Sequence, residues 1–122
     1  MQISVVAKDI NEWSGSVLIS GILEGTIQSQ IDSFKTIIKD TYLRQRFDEA
    51  KFEGQKNQKL SIELSKGNIK KIIFVGLGKA EDLLIEDLRK AASSVIRQVL
   101  RYEKKLGIYF PWDAFDPSSA AF

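Results

Sequence analysis

The 122-residue chain contains no cysteine and no histidine, and only two prolines and one methionine. The missing cysteine excludes disulfides, a thiolate nucleophile, cysteine-ligated zinc and iron–sulfur clusters. The missing histidine excludes a Ser-His-Asp triad, an imidazole metal ligand and any side chain that titrates near pH 7 unperturbed. Catalysis by this chain alone would have to rest on carboxylates, lysine, tyrosine or backbone dipoles. Long apolar runs are missing too: the longest, Ile72 to Gly78, is far short of the roughly 18 residues that span a bilayer. The first residues carry no export signal, because the apolar stretch is broken by Ser4 and closed by Lys8 and Asp9. These absences predict a soluble, cytoplasmic protein. A charge excess is lacking as well. Lys plus Arg number 18 against 16 Asp plus Glu, a net charge of +2, which argues against a dedicated nucleic-acid binder.

What remains is an ordinary globular composition, 43% hydrophobic and 28% charged, at a length that suits one domain over residues 1–122. Gln2–Ala7 reads as a short strand rich in β-branched residues. Lys8–Ser14 is a polar connection in which Trp13 would cap a core edge. Ser16–Leu23 is apolar on both faces, as a strand buried between two helical layers is, and Gly21 in it suggests a bulge or close packing.

Ile27, Ile31, Phe34, Ile38 and Tyr42 then recur at helical spacing and predict one amphipathic helix ending near Arg46 or Phe47. Ser29 and Asp32 resemble a capping pair. Asp48–Gln58 reads as a mobile surface loop. Lys59–Leu64 alternates polar and apolar residues, a half-buried strand. The turn Ser65–Asn68 leads to the apolar strand Ile72–Val75, and the two should pair as an antiparallel hairpin.

A second helix is predicted from Leu88, Ala92, Val95, Val99, Tyr102 and Leu106. Acids Glu81, Asp82, Glu86 and Asp87 crowd its start and Arg101, Lys104 and Lys105 its end, with Gly107 as a left-handed cap. Ile108–Phe110 is a last short strand. The order strand, strand, helix, strand, strand, helix, strand predicts an α/β sandwich with a mixed sheet. Asp116 and Pro117 open a further helix that the sequence does not continue, so truncation within a longer polypeptide is expected.

Few residues suggest chemistry. Gly76-Leu77-Gly78-Lys79 lies between a strand and a helix, where backbone amides can cradle a phosphate. It lacks the third glycine of a dinucleotide fingerprint, since position 81 is Glu81, and the Ser or Thr of a P-loop, since Ala80 follows Lys79. A tight strand-to-helix turn is the favoured reading. The acids from Glu81 to Asp87 could be a metal site or an acid/base pair, but neighbouring helical residues diverge, and stabilisation of the helix start accounts for them. Arg97, Arg101, Lys104 and Lys105 offer a basic stripe for nucleic acid, for which a solvated helix end is the better account. Trp112 and Phe115 could line a ligand or face the residues after Phe122.

Phe74-Val75-Gly76-Leu77-Gly78-Lys79, followed by Leu88-Arg89-Lys90-Ala91-Ala92, resembles the N-terminal domain of the cytosolic leucyl aminopeptidases. Ser16–Gly25 is similar to that domain's second strand. The resemblance implies a macro-domain-like three-layer sandwich, a mixed β-sheet flanked by helices. It also implies a parent metallo-exopeptidase in which two divalent cations, zinc or manganese, activate water and polarise the scissile carbonyl. In that family the ligands belong to a separate C-terminal domain whose Asn-Thr-Asp-Ala-Glu-Gly-Arg signature does not occur here. No catalytic, cofactor-binding or metal-binding residue therefore carries over onto this chain. The implied partners are the catalytic C-terminal domain of the same polypeptide and the other subunits of a homo-hexamer. The alternative is a free-standing macro-like module that binds ADP-ribose or a related nucleotide at the Gly76–Gly78 loop. A third reading is DNA binding by the basic helix end.

Overall fold

The computed structural model describes residues 2–5, 15–64, 69–99 and 105–109. They contain five strands, β1 (Gln2–Val5), β2 (Val17–Leu23), β3 (Lys59–Glu63), β4 (Lys71–Gly78) and β5 (Lys105–Tyr109). Three helices accompany them: α1 (Ile27–Phe34), α2 (Asp40–Glu49) and α3 (Ile85–Val99), with one 3₁₀ turn at Ala80–Asp82. The strands form one sheet in the order β1-β5-β2-β4-β3. The four strands from β1 to β4 in that order run parallel, and β3 joins the edge antiparallel to β4. The expected hairpin and mixed sheet are both present.

β2 and β4 are buried at nearly every position. Their side chains alternate between two apolar layers, as the pleat requires. Leu18, Ile22, Ile72 and Phe74 meet α1 and α2 through Ile31, Phe34, Leu43 and Phe47. Val17, Ile19, Ile73, Val75 and Leu77 meet α3 through Leu88, with Ala91, Ala92 and Ile96 beside it. This makes a three-layer sandwich. Phe74 anchors the first layer, edge-on to Phe34 at 5.3 Å and to Phe47 at 5.1 Å between ring centroids. Gly21 lies next to the one irregularity of the strand, a register shift between Ile22 and Leu23.

Four local readings differ from the structure. The single helix over residues 27–47 is two helices. α1 stops at Phe34, whose carbonyl accepts the amides of both Ile37 and Ile38, and Lys39 is extended before α2 begins. The break shifts the buried face by one residue, so Leu43 and Phe47 enter the core and Tyr42 stays 46% exposed. Ser29 and Asp32 do not cap α1. Thr26 precedes its first turn and donates its hydroxyl to the Leu23 carbonyl at 2.7 Å.

The stretch read as a mobile loop is partly α2, and the rest is fastened down, with Phe52 and Gly54 buried. Gly107 is not a helix cap: it lies within β5, opposite Ser4 and Leu18. Leu106 and Lys105 are likewise strand residues. Pairing on both sides of β5 outweighs the local preference of a glycine for a helix end. Trp13, the Ser65–Asn68 turn, Arg101, Tyr102, Lys104, Trp112, Phe115 and the Asp116–Pro117 helix start lie outside the described residues.

Candidate functional site

The glycine motif forms the C-terminal end of β4, where parallel strands of α/β sheets commonly present ligand sites. Here the strand end is covered by the chain that follows α2. That segment is folded by Gln58, whose side-chain oxygen accepts the amides of Glu53 and Gln55, both at 3.0 Å, while its nitrogen donates to the Lys51 carbonyl. Gly54 makes the bend with φ +90°. The folded segment lies directly on the motif. A Cβ on Gly76 would stand 1.9 Å from the Gln55 carbonyl oxygen, so only glycine lets the two backbones meet.

This contact occupies the amides a phosphate would need. Gly76 N–H donates to the Gln58 carbonyl and Gly78 N–H to the Gly54 carbonyl, each at 2.8 Å. The Gly78 carbonyl accepts the Glu24 amide, tying the end of β4 to the end of β2. Gly78 has φ +83°, and a Cβ there would meet nothing closer than 3.7 Å. The motif is therefore a strand terminus with a packing role, in line with the favoured sequence reading. Nothing in it supports the nucleotide-binding alternative.

The four acids part company. Glu81 and Asp82 lie exposed on the 3₁₀ turn. Glu86 is exposed one turn later, 4.0 Å from Arg89. Asp87 is half-buried, and its carboxylate accepts the Leu84 amide at 3.0 Å, which caps the start of α3. Its other oxygen faces Lys56 Nζ at 3.1 Å. Partial burial pushes the Asp87 carboxyl up, but the Leu84 amide and the charges of Lys56 and Lys90 outweigh it. The group sits below the usual carboxylate range. Among the described residues no three acidic side chains gather into a metal-holding group. Asp87 is thus committed to the helix start, and the described acids do not gather as a two-metal centre requires.

A groove of about 420 Å³ runs between α3 and the Lys56–Lys59 stretch, with Val75, Gly76 and Leu77 as its floor. Lys56, Lys59, Lys90 and Asp87 rim it. Sequence reasoning missed this groove, because its walls come from segments about thirty residues apart, and no local pattern joins them. Of the basic stripe, Arg97 is exposed on α3, and Lys105 belongs to β5. No helix among the described residues is long and apolar enough to cross a membrane.

With this geometry, comparison with known proteins is informative. Residues 17–121 match the model of the cytosol aminopeptidase family, N-terminal domain. A probable cytosol aminopeptidase of Prochlorococcus marinus (strain MIT 9211) is 39% identical over 121 residues, 99% of this chain and 24% of that protein. A probable cytosol aminopeptidase of Synechococcus sp. (strain CC9311) is 32% identical over 98% of this chain and, again, 24% of that protein. The chain thus spans about a quarter of the length of the relatives it matches. Among solved structures, a mutant leucine aminopeptidase of tomato superposes with a TM-score of 0.62 at 19% identity, covering 95% of this chain and 24% of that one. That likeness concerns the fold. The match over residues 17–121 and the end-to-end similarity to these relatives place the chain in the cytosol aminopeptidase family, as its N-terminal domain.

Proposed function

We propose that the chain is the non-catalytic N-terminal part of a metal-dependent aminopeptidase that removes N-terminal residues, leucine by preference, from peptides in the cytoplasm. In this reading the two divalent ions, zinc or manganese, belong to a C-terminal domain of the same polypeptide. The full protein is a homo-hexamer, and the residues described here act as scaffold. The observation that carries the reading is the extent of the similarity: nearly all of this chain aligns with only 23–24% of the relatives' length. The commitments of the local groups agree with it. The Gly76 and Gly78 amides are spent on the 54–58 segment and Asp87 on α3.

The test is an assay of the purified 122-residue chain with leucyl-p-nitroanilide in the presence of Mn²⁺ or Zn²⁺. No amino acid should be released above the buffer rate. Metal-dependent turnover that follows this chain through successive columns would overturn the proposal.

A further inference from the structure

The outer edge of β3 carries a self-complementary pattern. Its ladder with β4 fixes which backbone groups point outward. Gly76 N–H donates to Gln58 and Leu64 N–H donates to Lys70, and the register sets Leu60 opposite Phe74 and Ile62 opposite Ile72. Hydrogen-bonded pairs alternate along an antiparallel ladder. Residues 58, 60, 62 and 64 therefore face β4, and Lys59, Ser61 and Glu63 turn their N–H and C=O groups away from the sheet. All three residues are exposed. Among the described residues no strand pairs with this edge. Among the described residues Arg46 reaches over it: its Nη2 donates to the Ser61 carbonyl at 3.5 Å, while its Nε is buried without a partner.

We propose that this edge pairs with the β3 edge of a second copy of the chain, antiparallel and centred on Ser61. The two-fold then sets Ser61 against Ser61, and Lys59 of each copy against Glu63 of the other. All three positions turn their N–H and C=O groups outward, so once Arg46 leaves the Ser61 carbonyl each facing pair exchanges two hydrogen bonds, and the five-stranded sheets join into one. Charge settles the occupant. Edge strands are commonly guarded by charges that repel a neighbour, but here opposite signs stand two residues either side of the centre. In antiparallel self-pairing they meet as attractive cross-strand pairs, where a single sign would have met itself.

Sedimentation velocity of the 122-residue chain over increasing concentration tests this, with far-UV circular dichroism to verify folding. The mass should rise from the 13.8 kDa monomer towards twice that value. Lys59→Glu and Glu63→Lys, each alone, should remain monomeric, because every cross-strand pair then carries like charges. An equimolar mixture of the two variants, and the double variant alone, should regain the doubled mass. Independently of any variant, amide exchange at Lys59, Ser61 and Glu63 should slow as wild-type concentration rises. A wild-type chain that stays at monomer mass, or single variants that associate as the wild type does, would overturn the pairing.

Discussion

Gly76 and Gly78 sit two residues apart in one strand, yet glycine is required at each for a different reason. At position 76 the obstacle is contact. A Cβ would lie 1.9 Å from a backbone oxygen, which no rotamer can relieve. At position 78 the space is open, and the constraint is the left-handed φ of +83°. Gly76→Ala should therefore cost more than about 3 kcal/mol, the severe end of overpacking. Gly78→Ala should cost about 1–2 kcal/mol, the penalty of a left-handed backbone. Urea titration of both variants checks the order. Equal losses would show that the 54–58 segment yields freely and is not clamped onto β4. The pair also shows the limit of reading a glycine motif locally. The spacing announced a strand end, but what consumes the two amides lies about twenty residues earlier in the chain, on Gly54 and Gln58.

The break between α1 and α2 raises the same issue for whole elements. Nothing in Lys35–Lys39 signals an interruption: there is no proline or glycine, and the step of four from Phe34 to Ile38 to Tyr42 continues the stripe. The structure interrupts the helix there and moves the buried stripe from Tyr42 to Leu43. Leu43→Ala should accordingly cost about 2–5 kcal/mol, as buried leucines do. Tyr42→Ala, at a site 46% exposed, should stay within about 0.5 kcal/mol. Chemical denaturation separates the two outcomes, and an uninterrupted helix would reverse their order.

Elements set by their own composition were legible. β2 is apolar on both faces and had to be central, β4 announces itself as a strongly apolar strand, and β3 alternates and had to be half-buried. Elements set by tertiary competition were not. Gly107 carries the local signature of a helix end, but hydrogen bonding to β1 and β2 draws it into β5. The groove beside α3 was invisible for the same reason, since it exists only once Lys90 and Lys56 are brought together by packing.

For the molecule as a whole, the central fact is that β2 and β4 serve both apolar layers with alternate residues. Ile72 and Phe74 face α1 and α2, while Ile73 and Val75 face α3. Neither helical layer can leave without exposing one face of the strands that support the other. A cavity on either side should then weaken a single cooperative transition and should not melt one layer alone. Phe34→Ala beneath α1 should cost about 3–5 kcal/mol and Leu88→Ala beneath α3 about 2–5 kcal/mol. The dependence on urea should keep its wild-type slope, since the same surface is exposed on unfolding. EDTA should leave each midpoint unmoved, because the fold rests on these layers and the described acids form no metal-holding group. Circular dichroism, which follows the backbone of all layers, and amide hydrogen exchange read separately in α1, α2 and α3 should report one coincident transition for each variant. Two separated transitions in Leu88→Ala, with α1 and α2 surviving the first, would mean that the strands are not shared in energy as they are in geometry.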